Sequence, residues 1–318
     1  MNAIENAIVV EDVRKSFGDV HAVRGLTFSA PAGSVLGVLG PNGAGKTTTV
    51  SILSTLTKPD AGRALVAGHD VVREAAAVRA SIMLTGQYAA LDEVLTGREN
   101  LVLFGRLMGL RPKQAKVRAT ELLEQFDLTE AADRRVGGYS GGMRRRIDIA
   151  CGLVRLPKVV FLDEPTTGLD PVSRQRVWSL VRSLAEQGVT ILLTTQYLEE
   201  ADALSDNIIV IDKGRVIAEG TADELKARSG SSYCEVVPVD AGDLPAVVTA
   251  LGGLGTVTVA ESKDRVSLPA PDGAATLAEA LRRITEAGIE LIDIALRRPS
   301  LDEVFIKLTT DEPGLVTA

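Results

Sequence analysis

Cysteine is scarce in this sequence, which carries only Cys151 and Cys234 among its 318 residues. The two stand far apart, with no C-x-x-C pair and no Cys/His cluster. This usage is typical of a protein in a reducing cytosol and indicates no cysteine metal site. We expect both residues to be small members of the core.

A long apolar run is also missing, because no stretch approaches the roughly 18 residues that are needed to cross a bilayer. Residues 1–6 lack a basic segment followed by an apolar one, so we expect no secretory signal. If this protein acts at a membrane, another protein must cross it.

Positive charge is not in excess either, since 42 acidic residues face 35 basic ones and the formal net charge is −7. Broad nucleic-acid binding uses a basic surface, so we expect no specific nucleic-acid partner, and only a local basic patch stays open. Aromatic residues make up 3% and hydrophobic residues 45%, which is ordinary for an α/β protein outside the membrane. The length allows one large domain and a smaller one.

What the sequence does contain is a phosphate-binding motif, G-x-x-x-x-G-K-[ST], between a predicted strand at 35–39 and a predicted helix at 46–53. Its glycines at 43 and 45 allow a backbone that a Cβ would obstruct. Lys46 can reach the β- and γ-phosphates of a nucleotide, and Thr47 can ligate Mg²⁺. The phosphate loop, as this segment is called below, consists of Gly40, Pro41, Asn42, Gly43, Ala44, Gly45, Lys46, Thr47 and Thr48.

From residue 8 to about 228, short β-branched runs alternate with helical patterns, which predicts a mainly parallel sheet covered by helices. Residues 97–133 read as almost entirely helical. We therefore place a domain at 6–228 with a helical subdomain at about 90–157. The clearest strand candidates are 35–39, 81–84, 159–162, 189–193 and 208–211, and the clearest helix candidates are 143–154 and 171–186.

A small polar linker at 227–232 precedes a second, smaller domain, which we place at 229–318. Its pattern has the order β-α-β-β-α-β, which predicts a ferredoxin-like module. A last helix at 301–308 has one apolar face and is expected to dock on a core. We assign no chemistry to this domain. Its predicted strands are 233–239, 256–259, 265–268 and 289–296, and its predicted helices are 244–251 and 274–286.

Two carboxylates, Asp163 and Glu164, end the apolar run 159–162. A nucleotide hydrolase needs such a pair, because one acid can hold Mg²⁺ through water while the other orients or deprotonates the attacking water. We assign the first role to Asp163 and the second to Glu164.

The segment 139–143, Tyr-Ser-Gly-Gly-Met, resembles the signature sequence of the ATP-binding-cassette (ABC) ATPases. Ser140 is a good helix N-cap, and the glycines let a helix N-terminus face an anion, so this is a second phosphate-binding device. In this family the signature of one subunit closes over ATP held by another, which implies a homodimer that encloses two ATP molecules. The implied contacts are Ser140, Gly141, Gly142 and Met143. The arginines at 144–146 are expected to form a solvated helix face.

Other family elements match in order. Phe17 stands where the family stacks an aromatic ring on adenine, and Gln87 matches the glutamine that senses Mg²⁺ and couples to the membrane partner. Asp170 matches an aspartate that contacts the opposite subunit, and it also fits a helix N-cap before a proline. Gln196 departs from the pattern, because most cassettes have a histidine there. Its amide can donate to a γ-phosphate, but it cannot become cationic, so we expect a phosphate contact without acid–base chemistry.

The segments 139–146, 194–202 and 301–305 are together similar to the daunorubicin/doxorubicin-resistance ATP-binding proteins, and the resemblance covers nearly the whole chain. It implies an α/β P-loop NTPase of the ABC-cassette type, with an N-terminal antiparallel β part and a helical subdomain. It also implies a peripheral ATPase at the cytoplasmic face of the membrane, with Mg²⁺ as cofactor. The partner would be a separately encoded permease that exports drugs, hydrophobic natural products or lipids.

Two other classes of protein contain a phosphate loop of this kind. The first is a small GTPase or a kinase. GTPases usually carry an N-K-x-D motif, which is absent from this sequence, and the signature segment has no place in them. The second is a non-transport cassette ATPase. Those of translation generally hold two ATPase units in one chain, and those of DNA maintenance carry coiled-coil or zinc insertions. This sequence shows neither feature. We therefore favour the exporter subunit and keep a cassette ATPase that acts on ribosomes or DNA as the alternative.

Overall fold

The computed structural model describes residues 6–86, 91–229, 232–260, 262–298, 300–301 and 303–305. The chain divides into two compact units, Met1–Ala222 and Asp223–Ala318. In the part of the chain that the structure describes, no helix is both long enough and apolar enough to span a membrane.

The first unit combines a mostly parallel sheet, an antiparallel sheet and a block of helices. Its strands are β1 (Asn6–Phe17), β2 (Val20–Pro31), β3 (Val35–Leu39), β4 (Ala61–Val66), β5 (His69–Asp70), β6 (Ile82–Thr85), β7 (Val159–Asp163), β8 (Thr190–Thr195), β9 (Asn207–Asp212) and β10 (Arg215–Gly220). Its helices are α1 (Lys46–Leu53), α2 (Ala75–Ser81), α3 (Gly97–Leu107), α4 (Pro112–Gln125), α5 (Gly141–Gly152), α6 (Pro171–Glu186) and α7 (Leu198–Leu204), and α8 (Ala222–Ser229) begins at its last residue.

The central sheet has the order β10-β9-β3-β8-β7-β6, and all its pairs are parallel except β9 with β10. Strands β3, β7 and β8 are buried along their whole length. Successive side chains point to opposite faces, so in β7 Val160 joins the core on the helical side while Phe161 joins the core beneath the antiparallel sheet. The predicted mainly parallel sheet with helices on it is confirmed.

The antiparallel sheet has the order β2-β1-β4-β5, and the helical block is α3, α4 and α5. Helix α3 begins with a capping box in which Thr96 and Glu99 each accept from the other's backbone N–H. Helix α4 begins at Pro112, where a proline loses no helical hydrogen bond. The N-terminal antiparallel part and the helical subdomain are therefore both present.

The second unit contains β11 (Tyr233–Pro238), α9 (Leu244–Ala250), β12 (Thr258–Val259), β13 (Val266–Pro269), α10 (Ala274–Glu286) and β14 (Leu291–Arg297). The sheet order is β12-β13-β11-β14 with every pair antiparallel. Cys234 and Val236 of β11 share a core with Val247 of α9 and Ile284 of α10. The predicted β-α-β-β-α-β order of a ferredoxin-like module is confirmed.

The last predicted helix is described only in part. Residues 301 and 303–305 are helical, and Leu301 and Val304 are buried, as the predicted apolar face requires. Residues 306–308 of the prediction lie outside the described residues.

Candidate functional site

The phosphate loop joins the carboxyl end of β3 to the N-terminus of α1. Gly43 and Gly45 both have positive φ, 81° and 106°, which favours glycine strongly. A Cβ on Gly45 would also lie 2.5 Å from the carbonyl oxygen of Ala22, and one on Gly40 would overlap the carbonyl oxygen of Ile211. The loop therefore depends on these glycines for both its conformation and its packing.

Lys46 is the first residue of α1, and its ammonium is buried over this loop. Nζ donates to the carbonyl oxygens of Gly40 at 2.7 Å and Pro41 at 3.2 Å, and it lies 3.7 Å from Oε1 of Glu164. Burial lowers the pKa of Lys46, while the carboxylates of Glu164 and Asp163 act in the opposite direction. The nearby carboxylates and carbonyl oxygens keep a cation beside the loop, where phosphate charge would be bound.

Asp163 ends β7 next to Thr194 of β8, its partner in the parallel register. Thr194 Oγ1 donates to Asp163 Oδ1 at 2.5 Å, and Thr47 Oγ1 donates to the same oxygen at 3.4 Å. A carboxylate and a hydroxyl beside a phosphate loop form a donor set that suits Mg²⁺. Two of the three predicted metal residues are thus together, and the third, Gln87, lies outside the described residues.

Glu164 turns the chain sharply after β7. Its φ is +48°, a left-handed value that is strained for a residue other than glycine. Its N–H donates to both the carbonyl oxygen and Oγ1 of Thr194, each at 3.1 Å, and its Oε2 accepts from Thr167 Oγ1 at 3.3 Å. This turn brings the Glu164 carboxylate to Lys46, across from the phosphate loop.

A cleft of about 580 Å³ lies beside the loop, which is large enough for a nucleotide. Its lining includes Asn42, Lys46, Thr47 and Glu164, together with His21 of β2. The contribution of β2 was not predicted, because nothing in its strand pattern marks which residues face the loop.

Helix α5 begins as the signature segment predicts. Ser140 Oγ accepts from the N–H of Met143 at 3.3 Å, so Ser140 is the N-cap, and Gly141 is exposed at the first turn. Gly142 is buried, and a Cβ there would overlap Oγ of Ser173 on α6. Gly142 therefore has a packing role between α5 and α6 that the sequence did not reveal.

The prediction of a solvated helix face at 144–146 is wrong for two of the three arginines. The side chains of Arg145 and Arg146 are 11% and 10% exposed, and burial lowers the pKa of both. Arg146 Nη1 donates to the carbonyl oxygens of Phe126 and Asp127 at the end of α4, at 2.6 and 2.9 Å. Three successive cations in a sequence are typical of an exposed helix face, so the pattern did not predict that two of these side chains point inward.

Three further predicted site residues lie at element ends. Phe17 ends β1 with an exposed ring, and the ammonium of Lys15 lies 5.4 Å from the ring centroid. Asp170 caps α6 and accepts from the N–H and Oγ of Ser173, and these bonds lower its pKa. Gln196 follows β8, whose Thr195 is the register partner of Leu39 just before the loop.

Sequence reasoning missed a buried acid, Glu200 of α7. Its Oε1 accepts from Thr166 Oγ1 at 2.8 Å and from Trp178 Nε1 at 3.1 Å, and burial raises its pKa. The contact joins the segment after Glu164 to the helix after Gln196. The available signal was spacing, because Glu200 and buried Leu204 share one helical face.

Comparisons with known proteins match both units. Residues 23–167 match the family described as ABC transporter, and residues 220–309 match the C-terminal domain of ATP-binding protein DrrA1-3-like proteins. The doxorubicin resistance ATP-binding protein DrrA of Mycobacterium tuberculosis is 62% identical over 317 residues, which is 98% of this chain and 96% of that protein. The daunorubicin resistance ATP-binding protein DrrA3 of Streptomyces coeruleorubidus is 57% identical, over 97% of each chain.

Solved structures give the same answer for the fold. A structure described as the ATP binding subunit of an ABC transporter has a TM-score of 0.63 and 27% identity, covering 70% of this chain and 92% of that one. The cassette MJ0796, described as a dimer in a post-hydrolysis state with ADP and Pi, has a TM-score of 0.62 and 25% identity, covering 67% and 98%. From these matches and the geometry of its phosphate loop, the chain belongs to the ATPase subunits of ABC transporters, in the group of the doxorubicin- and daunorubicin-resistance ATP-binding proteins.

Proposed function

We propose that this chain supplies the energy for an exporter of drugs, hydrophobic natural products or lipids, and that a separately encoded permease forms the membrane channel. The observation that carries the hydrolytic part is the convergence of Lys46, Thr47, Asp163 and Glu164 at one loop. Support for the class of cargo comes from the relatives, whose names give resistance to doxorubicin, daunorubicin and linearmycin and the export of Nod factor. We place the subunit at the cytoplasmic face of the membrane.

In the proposed mechanism the backbone of residues 40–48 and the Lys46 ammonium bind the phosphates, and Phe17 stacks on adenine. Thr47, Asp163 through water, and Gln87 would hold Mg²⁺, which neutralises charge on the phosphates when bound. Glu164 orients or deprotonates the attacking water, and Gln196 donates its amide N–H to the γ-phosphate.

The second half of each site comes from a second copy of the chain. Residues 140–143 face the ATP held by the partner's phosphate loop, and Asp170 contacts the partner. Two ATP molecules therefore stabilise a homodimer, and loss of the γ-phosphate contacts lets the copies separate and moves the permease. The dimeric description of the MJ0796 structure supports this arrangement.

The test is transport in inverted membrane vesicles that hold the full chain together with the separately encoded permease proposed as its partner. ATP should drive uptake of doxorubicin or of a labelled lipid, and Glu164→Gln should abolish the uptake. In a separate measurement on the purified Glu164→Gln chain, light scattering should detect a dimer when ATP is present. If no cargo moves and the chain binds ribosomes or DNA tightly, the non-transport alternative replaces this proposal. If Glu164→Gln stays monomeric with ATP, the proposed dimer is wrong.

A further inference from the structure

Arg145 lies in the first turns of α5, and its guanidinium contacts the catalytic edge of the central sheet. Nε donates to the carbonyl oxygen of Pro165 at 3.0 Å, and Nη2 lies 3.5 Å from that of Asp163. Nη1 donates to the carbonyl oxygen of Gly86, after β6, at 2.9 Å. One buried side chain thus binds the backbone of two segments that follow neighbouring parallel strands.

The two carbonyls at Asp163 and Pro165 flank Glu164, the residue with the left-handed φ of +48°. Such a conformation is unfavourable for a residue other than glycine and persists only where the surroundings fix it. The N–H of Glu164 is fixed by Thr194. Arg145 contacts the carbonyl oxygen of Asp163, in the peptide group before Glu164, and binds that of Pro165, one residue after it. A guanidinium suits this task because its N–H groups lie in one rigid plane.

The position of Arg145 also has an electrostatic basis. Its side chain is 11% exposed, and the carboxylate of Asp148, one turn further along α5, lies 3.6 Å from Nη1. An arginine buried to this degree needs such compensation, and the three carbonyl oxygens supply the rest. Asp148 of the same helix therefore holds the guanidinium by charge, while the guanidinium binds backbone carbonyl oxygens at the edge of the sheet.

We propose that Arg145 is a positioning residue for ATP hydrolysis, which holds the strained turn so that the Glu164 carboxylate faces Lys46 and the phosphate loop. This inference rests on the proposed role of Glu164. It makes the geometry of that carboxylate depend on α5, the helix that Ser140 caps. Arg145 is not part of the lining of the cleft beside the phosphate loop, and it acts through Glu164.

The test compares Arg145→Gln and Arg145→Lys with Arg118→Gln in the full chain, co-expressed with its permease. Arg118 is a matched control, because its guanidinium also binds two backbone carbonyls, those of Leu153 and Val154, at the far end of α5. We expect Arg145→Gln to lower kcat between about 10- and 100-fold with KM for ATP within about twofold, as misplaced catalytic groups do. Arg145→Lys should recover part of kcat, and Arg118→Gln should lower Tm alone.

A double-mutant cycle separates positioning from general stability. In a Glu164→Gln background, single-turnover hydrolysis should fall by less than about twofold when Arg145→Gln is added, since the carboxylate it positions is gone. A loss of kcat equal in both backgrounds, or a kcat unchanged in Arg145→Gln, overturns the proposal. If Arg145→Gln does not fold, Arg145→Lys carries the same cycle. If Glu164→Gln itself hydrolyses ATP at the native rate, the proposed role of Glu164 fails instead.

Discussion

Residue 196 is the position where this chain differs from most cassettes, and the difference is chemical. Glutamine donates a hydrogen bond but has no titration near neutral pH, whereas histidine changes charge there. Gln196 follows β8 beside the phosphate loop, so its placement fits a γ-phosphate contact. Its role stays a prediction.

We expect Gln196→Ala to lower kcat by about tenfold or more while ATP binding is retained, because a hydrogen bond to the reacting phosphate is lost. Gln196→His should keep hydrolysis and add a pH dependence near the histidine pKa of about 6.5. Steady-state ATPase rates from pH 6 to 8 and nucleotide titrations measure both effects. An alanine variant with native rates would remove Gln196 from the mechanism.

Glu200 is a second case in which one residue matters, because its protonation makes the stability of the fold depend on pH. Because burial raises its pKa, the protonated carboxyl stabilises the fold fully below the ordinary value of 4.5, and that contribution is lost as pH rises through the raised pKa. Glu200→Gln keeps an acceptor for Thr166 and Trp178 without a charge. We expect this variant to have the higher Tm at pH 8, with a difference that shrinks toward pH 5. Calorimetry at several pH values measures it, and a difference that does not vary with pH would contradict the assignment.

At the scale of elements, the sequence predicts best where local chemistry marks an end. Helix α6 matches its prediction, Pro171–Glu186, because Asp170 caps it and Pro171 begins it. Strand β8 extends two residues beyond its prediction, since Thr194 and Thr195 are polar but lie buried in the ladder. The functional site was likewise predictable only where a local motif marks it. Motifs located the loop and carboxylates, whereas Arg145, Glu200 and the packing of Gly142 depend on contacts between distant segments.

The α5–α6 contact yields a paired prediction. Gly142→Ala should destabilise the chain by about 1–3 kcal/mol, because the new Cβ overlaps Ser173. Gly141→Ala is the control, since a Cβ there would lie 3.9 Å from a methyl carbon of Leu169, which is ordinary van der Waals contact. We expect Gly141→Ala to keep or raise Tm and to weaken only the ATP-dependent dimer. Thermal unfolding and light scattering separate the two, and equal Tm losses would contradict the packing argument.

At the scale of the whole molecule, each compact unit holds one of the two cysteines. Cys151 and Cys234 are both buried, as expected, and burial raises the pKa of both thiols. The division between units falls at the start of α8, and our boundary after residue 228 stays a prediction.

We expect both thiols to resist alkylation in the native chain and to react when their own unit unfolds, because the thiolate is the reactive form. Cys151→Ser and Cys234→Ser variants, labelled across a urea series, then report the two units separately. Two different midpoints would indicate independent domains. Identical midpoints in both variants would show one cooperative unit and contradict the two-domain organisation.

The left-handed backbone at Glu164 also sets a limit on engineering this chain. A glycine there would relieve the strain and raise stability, yet it would remove the carboxylate that we propose acts on the attacking water. Stability and turnover therefore compete at a single residue. A thermostable library selected only for folding would favour the loss of activity at position 164, so any such selection has to include a turnover screen.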